Sequence, residues 1–214
     1  MKKYRYIHIL MSILIVVGLF GCQDVFTYSP FEAFQRDPSA LPPEQKKQYA
    51  ESALASGSVD EMNEAYTAIK DMADQNPNDG ELQLLAADLA MGASGMGEIT
   101  DSISELISSG TTEDTAENPE QSLDTFEKLI EDLDEEKLGA VATYVDVAEK
   151  AGTEIESSQY VNAGMAVAAK EVKETGIDNI DMENPSENMQ KALDYAEKGG
   201  VDLESLMNGE FEGF

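Results

Sequence analysis

The 214 residues carry 43 acidic against 14 basic side chains, a formal net charge of −29, with a single cysteine and a single histidine. That balance argues against nucleic acid as a partner, because affinity for a phosphate backbone rests on clustered Lys and Arg. One cysteine permits no disulfide within the chain, so stability must come from packing.

The first element is a leader. Lys2, Lys3 and Arg5 form a basic opening, and Ile9 to Phe20 is an apolar run broken only by Ser12 and Gly18. The run suits the hydrophobic region of a signal peptide and falls short of the ~20 residues a spanning helix needs. It ends in Leu19-Phe20-Gly21-Cys22, which resembles the bacterial lipobox, although Phe20 is bulkier than usual at its position. The resemblance implies cleavage after Gly21, a diacylglyceryl thioether on Cys22 and an acylated new N-terminus, hence a place in the bacterial cell envelope and the lipid bilayer as a partner. Several acyl chains hold firmly, at ~0.8 kcal/mol per buried methylene, where one chain binds reversibly. By analogy with Gram-negative sorting, Gln23 favours the periplasmic face of the outer membrane, while Asp24 leaves the leaflet open.

Loss of residues 1–21 removes Lys2, Lys3, Arg5 and the sole histidine, His8, and takes the net charge to −32. A chain without histidine, its one thiol acylated, lacks the usual general base, the thiolate nucleophile and the commonest metal ligand. The expectation is a protein without enzymatic activity, with no catalytic, cofactor or metal residue to assign. The charge favours solubility, cationic partners or divalent counter-ions, or a salty habitat where self-repulsion is screened.

Residues 22–43 read as the lipidated N-terminus and a tether. Pro30, Pro38, Pro42 and Pro43 interrupt any helix there, while Phe26, Tyr28, Phe31 and Phe34 suit packing against the domain. A helix from Glu44 to Ser56 then opens on prolines and closes at Gly57. Ser58 to Glu61 reads as a capping box for a second helix with Met62, Ala65, Tyr66, Ile69, Met72 and Ala73 on one face. Asn76 to Gly80 stops it. A third helix carries Leu82, Leu85, Ala86 and Leu89 and loosens at Gly92 to Gly97. A fourth uses Ile99, Ile103, Leu106 and Ile107 and closes at Gly110. Residues 111–119 read as an acidic linker separating a helical part over 44–110 from one over 120–214, in the same or an adjoining domain. Asn118-Pro119 starts a helix with Leu123, Phe126, Leu129, Ile130 and Leu133. The next, from Asp134 to Lys150, offers Leu138, Val141, Tyr144, Val145 and Ala148. Another begins at Ser157 or Ser158, is nearly apolar over Ala163 to Ala169 and so is expected to be central, and ends at Gly176. Asn184-Pro185 caps one with Met189, Ala192, Leu193 and Ala196, ending at Gly199-Gly200. Leu203, Leu206 and Met207 mark a last turn. No stretch alternates long enough for a sheet, so the fold class is all-α.

Leu82-x2-Leu85-Ala86-x2-Leu89 has the spacing of a tetratricopeptide first helix, as do Leu138-x2-Val141-Ala142-x2-Val145 and Tyr160-x2-Ala163-Gly164-x2-Val167. Asn76-Pro77-Asn78-Asp79 is similar to that unit's closing turn. The resemblance covers about residues 44–107 and implies helical hairpins in an array. The matches at Leu138 and Tyr160 lie too close for consecutive units, so a degenerate tetratricopeptide-like array and an irregular helical bundle both stand. Lipoproteins with such domains typically serve as adaptors in envelope assembly or as accessories to transport.

The remaining clusters point to structure. Asp132, Asp134, Glu135 and Glu136 lack the alternating pattern of a calcium loop and read as a solvated junction. Asp178, Asn179 and Asp181 read as turn and cap residues. Gly92 to Gly97 has no lysine to make a phosphate loop. Met62, Met72, Met165 and Met189 read as core filling. Phe211 and Phe214 read as aromatics that fold back into the domain or dock into a partner. The leading expectation is a membrane-anchored, non-catalytic scaffold or adaptor for another envelope protein. The alternative is an accessory subunit of a transport system that binds a small ligand between helices.

Overall fold

The computed structural model describes residues 37–97, 99, 128–181 and 184–201, and its compact unit begins at Pro38. Cys22, the aromatics of the tether, Ile103 to Phe126, Leu203 to Met207, Phe211 and Phe214 lie outside the described residues. Every regular element among those described is helical, and the helices pack as hairpins.

Short 3₁₀ turns occur at Pro38–Ala40 and Ile177–Asn179, and six longer helices carry the fold. The first, α1, spans Pro43–Ser56. Pro43 sits where its missing N–H costs nothing, and Gly57 ends the helix in the left-handed region at φ 69°. The second, α2, spans Val59–Gln75, and the Ser58 hydroxyl accepts from the Glu61 N–H at 3.4 Å. The third, α3, spans Gly80–Ala93 and is capped by Asp79, whose carboxylate accepts from the Leu82 N–H. The fourth, α4, spans Glu135–Lys150 and is capped the same way by Asp134. The fifth, α5, spans Ser157–Thr175, opened by a reciprocal capping box between Glu156 and Gln159. The sixth, α6, spans Glu187–Lys198.

Two sequence expectations change here. Ser186, not Asn184, caps α6, accepting from the Met189 N–H at 3.1 Å. Asn184 turns back instead, its N–H donating to Asp181. The central helix is α3, not α5. Leu82, Leu84, Ala86, Leu89, Ala90 and Met91 are all buried, and Glu81 is the only exposed residue of the helix. On α5, Ala163, Ala166, Val167 and Ala169 are buried, but Met165 faces solvent at 37 % exposure. A run of alanines is apolar without being large, so it fills a contact on one side only.

Each helix packs on the next in sequence, and α3 also touches both α1 and α5. Close approaches depend on small residues. A Cβ on Gly80 would lie 1.7 Å from the Thr153 hydroxyl, and one on Gly164 would lie 2.9 Å from the Ala192 carbonyl oxygen. Gln83 is 1 % exposed, and its amide donates to the carbonyls of Ala73 and Asn76. One buried side chain thus adds a second donor to two carbonyls at the end of α2 that also accept the N–H groups of Asn76 and Asp79, and its own amide is satisfied there.

Candidate functional site

Two mixed clusters of tyrosine, lysine and carboxylate join alternate helices, and they are the densest polar constellations among the described residues. In the first, Lys70 on α2 pairs with Glu136 on α4 at 2.7 Å. The Tyr144 hydroxyl donates to Asp74 at 3.0 Å, and the Tyr66 and Tyr144 rings meet edge to face at 6.4 Å. Lys70 also lies over the Tyr66 ring, 5.9 Å from its centroid.

The second cluster joins α4 and α6. Lys191 pairs with Asp146 at 2.8 Å, and Lys198 pairs with Glu149 at 2.6 Å. The Tyr195 hydroxyl donates to both Asp146 and the Ala142 carbonyl. From α5 the Tyr160 hydroxyl donates to Glu149 at 3.1 Å. Lys191 sits 5.5 Å from the Tyr195 ring centroid, and Lys198 sits 5.4 Å from that of Tyr160, both within cation–π range. Asp146, Lys191, Asp194, Tyr195, Glu197 and Lys198 line an open pocket here.

Burial pushes the Tyr195 hydroxyl well above the usual tyrosine range, and the Asp146 carboxylate it bonds adds to the shift. Tyr144 is raised in the same way by burial, Tyr66 and Asp74. Burial opposes the charge on Asp146, but hydrogen bonds from Lys191 and Tyr195 outweigh it and hold that carboxyl below the aspartate range. All three shifts hold Tyr195, Tyr144 and Asp146 in their ordinary charge states near pH 7. What the arrangement does chemically is fasten helices. Exposed pairs are worth ~0–1 kcal/mol each, so they set register more than they supply stability.

Asp88 on α3 stands apart. It accepts from the Gln159 amide at 3.0 Å, and burial, with nearby Glu156, raises its carboxyl above the aspartate range.

The residues singled out from sequence fall elsewhere. Cys22 lies outside the described residues. Of the acidic cluster, Asp134 caps α4, Glu136 pairs with Lys70, and Asp132 and Glu135 face solvent. No group of three or more His, Cys, Asp or Glu among the described residues is placed to hold a metal ion. In the glycine-rich stretch, Gly92 makes room for Met62, whose sulfur would lie 2.2 Å from an added Cβ. Met62 and Met189 are buried, whereas Met165, expected in the core, is exposed. Val59 and Met165 are the only large apolar side chains exposed among the described residues. Every tyrosine there is buried or half-buried, so no aromatic docking stripe occurs among them.

Reading the sequence for core positions missed both clusters. A signal was present: Tyr66, Lys70 and Asp74 are four residues apart, and Lys191, Tyr195 and Lys198 are spaced by four and three, which puts each set on one helix face. Their partners, 45 to 70 residues away, carry no local mark. Compared with known protein-family models, curated proteins and solved structures, the chain matches none.

Proposed function

We propose that the chain is a lipid-anchored, non-catalytic scaffold that holds another protein of the bacterial cell envelope. The anchor in this reading is Cys22, on the strength of Leu19-Phe20-Gly21-Cys22 after a short apolar leader. The observation that carries the scaffold reading is the sequential packing of helical hairpins, with α1, α3 and α5 in touch along one layer. Arrays of this kind present an extended surface made by many units at once, which suits a broad partner. The likeness of Leu82 to Leu89 and of Tyr160 to Val167 to a tetratricopeptide first helix supports the same reading.

The partner's chemistry follows from charge. Six of the described lysines are engaged in ion pairs, and Lys173 is bonded to backbone carbonyls. The exposed surface of the described residues is thereby left strongly acidic and nearly free of large apolar groups, so a cationic protein surface is the complementary partner.

The test is crosslinking and affinity recovery from native membranes, wild type beside Cys22→Ala. The expected result is that wild type sediments with membranes and returns a defined, basic partner, while the variant leaves the membrane fraction and loses it. Recovery of the wild-type chain alone from well-solubilised membranes would overturn the scaffold reading. Membrane retention of Cys22→Ala would overturn the anchor.

A further inference from the structure

We infer that α3 and α4 are the two arms of one helical hairpin whose connection is interrupted by residues 95–133, with the chain fastened where it leaves α3 and where it returns to α4. The two helices pack more extensively than any other pair, although 41 residues separate Ala93 from Glu135. The gap is closed at its foot. The Asp134 N–H donates to the Ser94 carbonyl at 3.0 Å, so the chain leaves α3 and returns to α4 at the same point.

The α1–α2 hairpin shows what the uninterrupted form looks like. Gly57 and Ser58 alone join those helices, and Ser58 is the cap of the second. With 95–133 removed, Ser94 and Asp134 alone join α3 to α4, and Asp134 is the cap of the second. Register agrees. Gly80 follows Pro43 by 37 residues, whereas Ser157 follows Gly80 by 77, and omitting the 39 residues 95–133 brings that interval to 38. The first helix of each hairpin also places a small buried residue at its seventh or eighth position: Ala50, Ala86 and Gly164. This resolves the spacing conflict between Leu138 and Tyr160, because the helix that corresponds to Tyr160–Val167 is the one bearing Leu82–Leu89.

The foot is built. The Ser94 hydroxyl, 2 % exposed, donates to the Met91 carbonyl and accepts from the Met96 N–H. Met96, Ile99, Ile130 and Leu133 are buried against the frame. Lys173 reaches from α5 to donate to the carbonyls of Glu131 and Leu133 at 2.7 and 2.6 Å.

The experiment cuts the segment out after folding. Recognition sequences for a site-specific protease are placed after Asp101 and before Lys128 in the full-length chain, which is purified in detergent and digested while native. After cleavage the two flanking fragments are expected to stay associated, with their helical signal intact and their melting temperature within about 5 °C of the uncut protein. Separation or unfolding of the fragments after cleavage would overturn the inference. As a companion, a chain in which a short Gly-Ser linker replaces residues 102–127 is expected to melt in one transition at a similar temperature. Amide exchange on that variant reads α3 and α4 directly, and loss of protection in both would count against a continuous hairpin.

Discussion

Asp88 shows how one side chain on a central helix carries a pH dependence. Burial raises its carboxyl above the aspartate range, so the folded protein binds a proton more tightly than the unfolded chain does. Its contribution is therefore fully present below the unfolded aspartate value and is lost as pH rises through the raised folded value. Asp88→Asn keeps an oxygen to accept from Gln159 without the charge. Thermal melts from pH 3 to 7 should show the variant gaining a few degrees over wild type at pH 7 and little at pH 3; a loss at neutral pH would contradict the burial argument. Gln83 makes the opposite case, a buried polar group that is fully used. Gln83→Leu removes a second donor from the Ala73 and Asn76 carbonyls, which keep the N–H groups of Asn76 and Asp79, and should cost about 1 kcal/mol in denaturant unfolding.

At the scale of an element, helix starts are decided by which nearby oxygen reaches the free N–H groups. Ser186 does so for α6, and hydrogen bonds from it and from Asn188 also hold the buried Glu171 carboxyl below the glutamate range. Ser186→Ala should therefore cost ~0.5–2 kcal/mol, as the loss of a cap does. Asn184→Ala, two residues earlier and exposed, should cost only a few tenths of a kcal/mol. Equal losses from the two substitutions, measured by urea unfolding, would return the cap to Asn184. Asn-Pro before a helix and Ser two residues later are both good cap signals, and nothing local ranks them. Glu171, fifteen residues upstream on the preceding helix, supplies the partner that favours Ser186.

At the scale of the molecule, four of the scarce cations among the described residues are committed to joints, with Lys47, Lys70, Lys191 and Lys198 each bridging separate elements. The remaining carboxylates repel one another, and the repulsion reaches farther at low salt, where the screening length exceeds the ~10 Å it has at 0.1 M. Raising sodium chloride from ~0.02 to ~0.5 M should accordingly raise the melting temperature, because salt screens the diffuse repulsion more than the short pairs. A fall in melting temperature with salt would mean that the ion pairs outweigh the repulsion.

The sequence by itself determined the helical class, the ends of α1, α2, α4 and α5 to within a residue or so, and the absence of histidine after His8. Those features are local: prolines, capping side chains, glycine stops and a three-to-four-residue apolar period act within one turn of the chain. Tertiary structure decided that α3 rather than α5 is central, that Met165 is exposed and that Gly80 and Gly164 are needed for close approach. It also decided which lysine meets which carboxylate, and that Ser94 meets Asp134 across the intervening segment. Each of these depends on groups far apart in sequence, brought together because packing adjacent helices removes their apolar faces from water. A local pattern can name the face that will be buried; it carries no record of what will cover it.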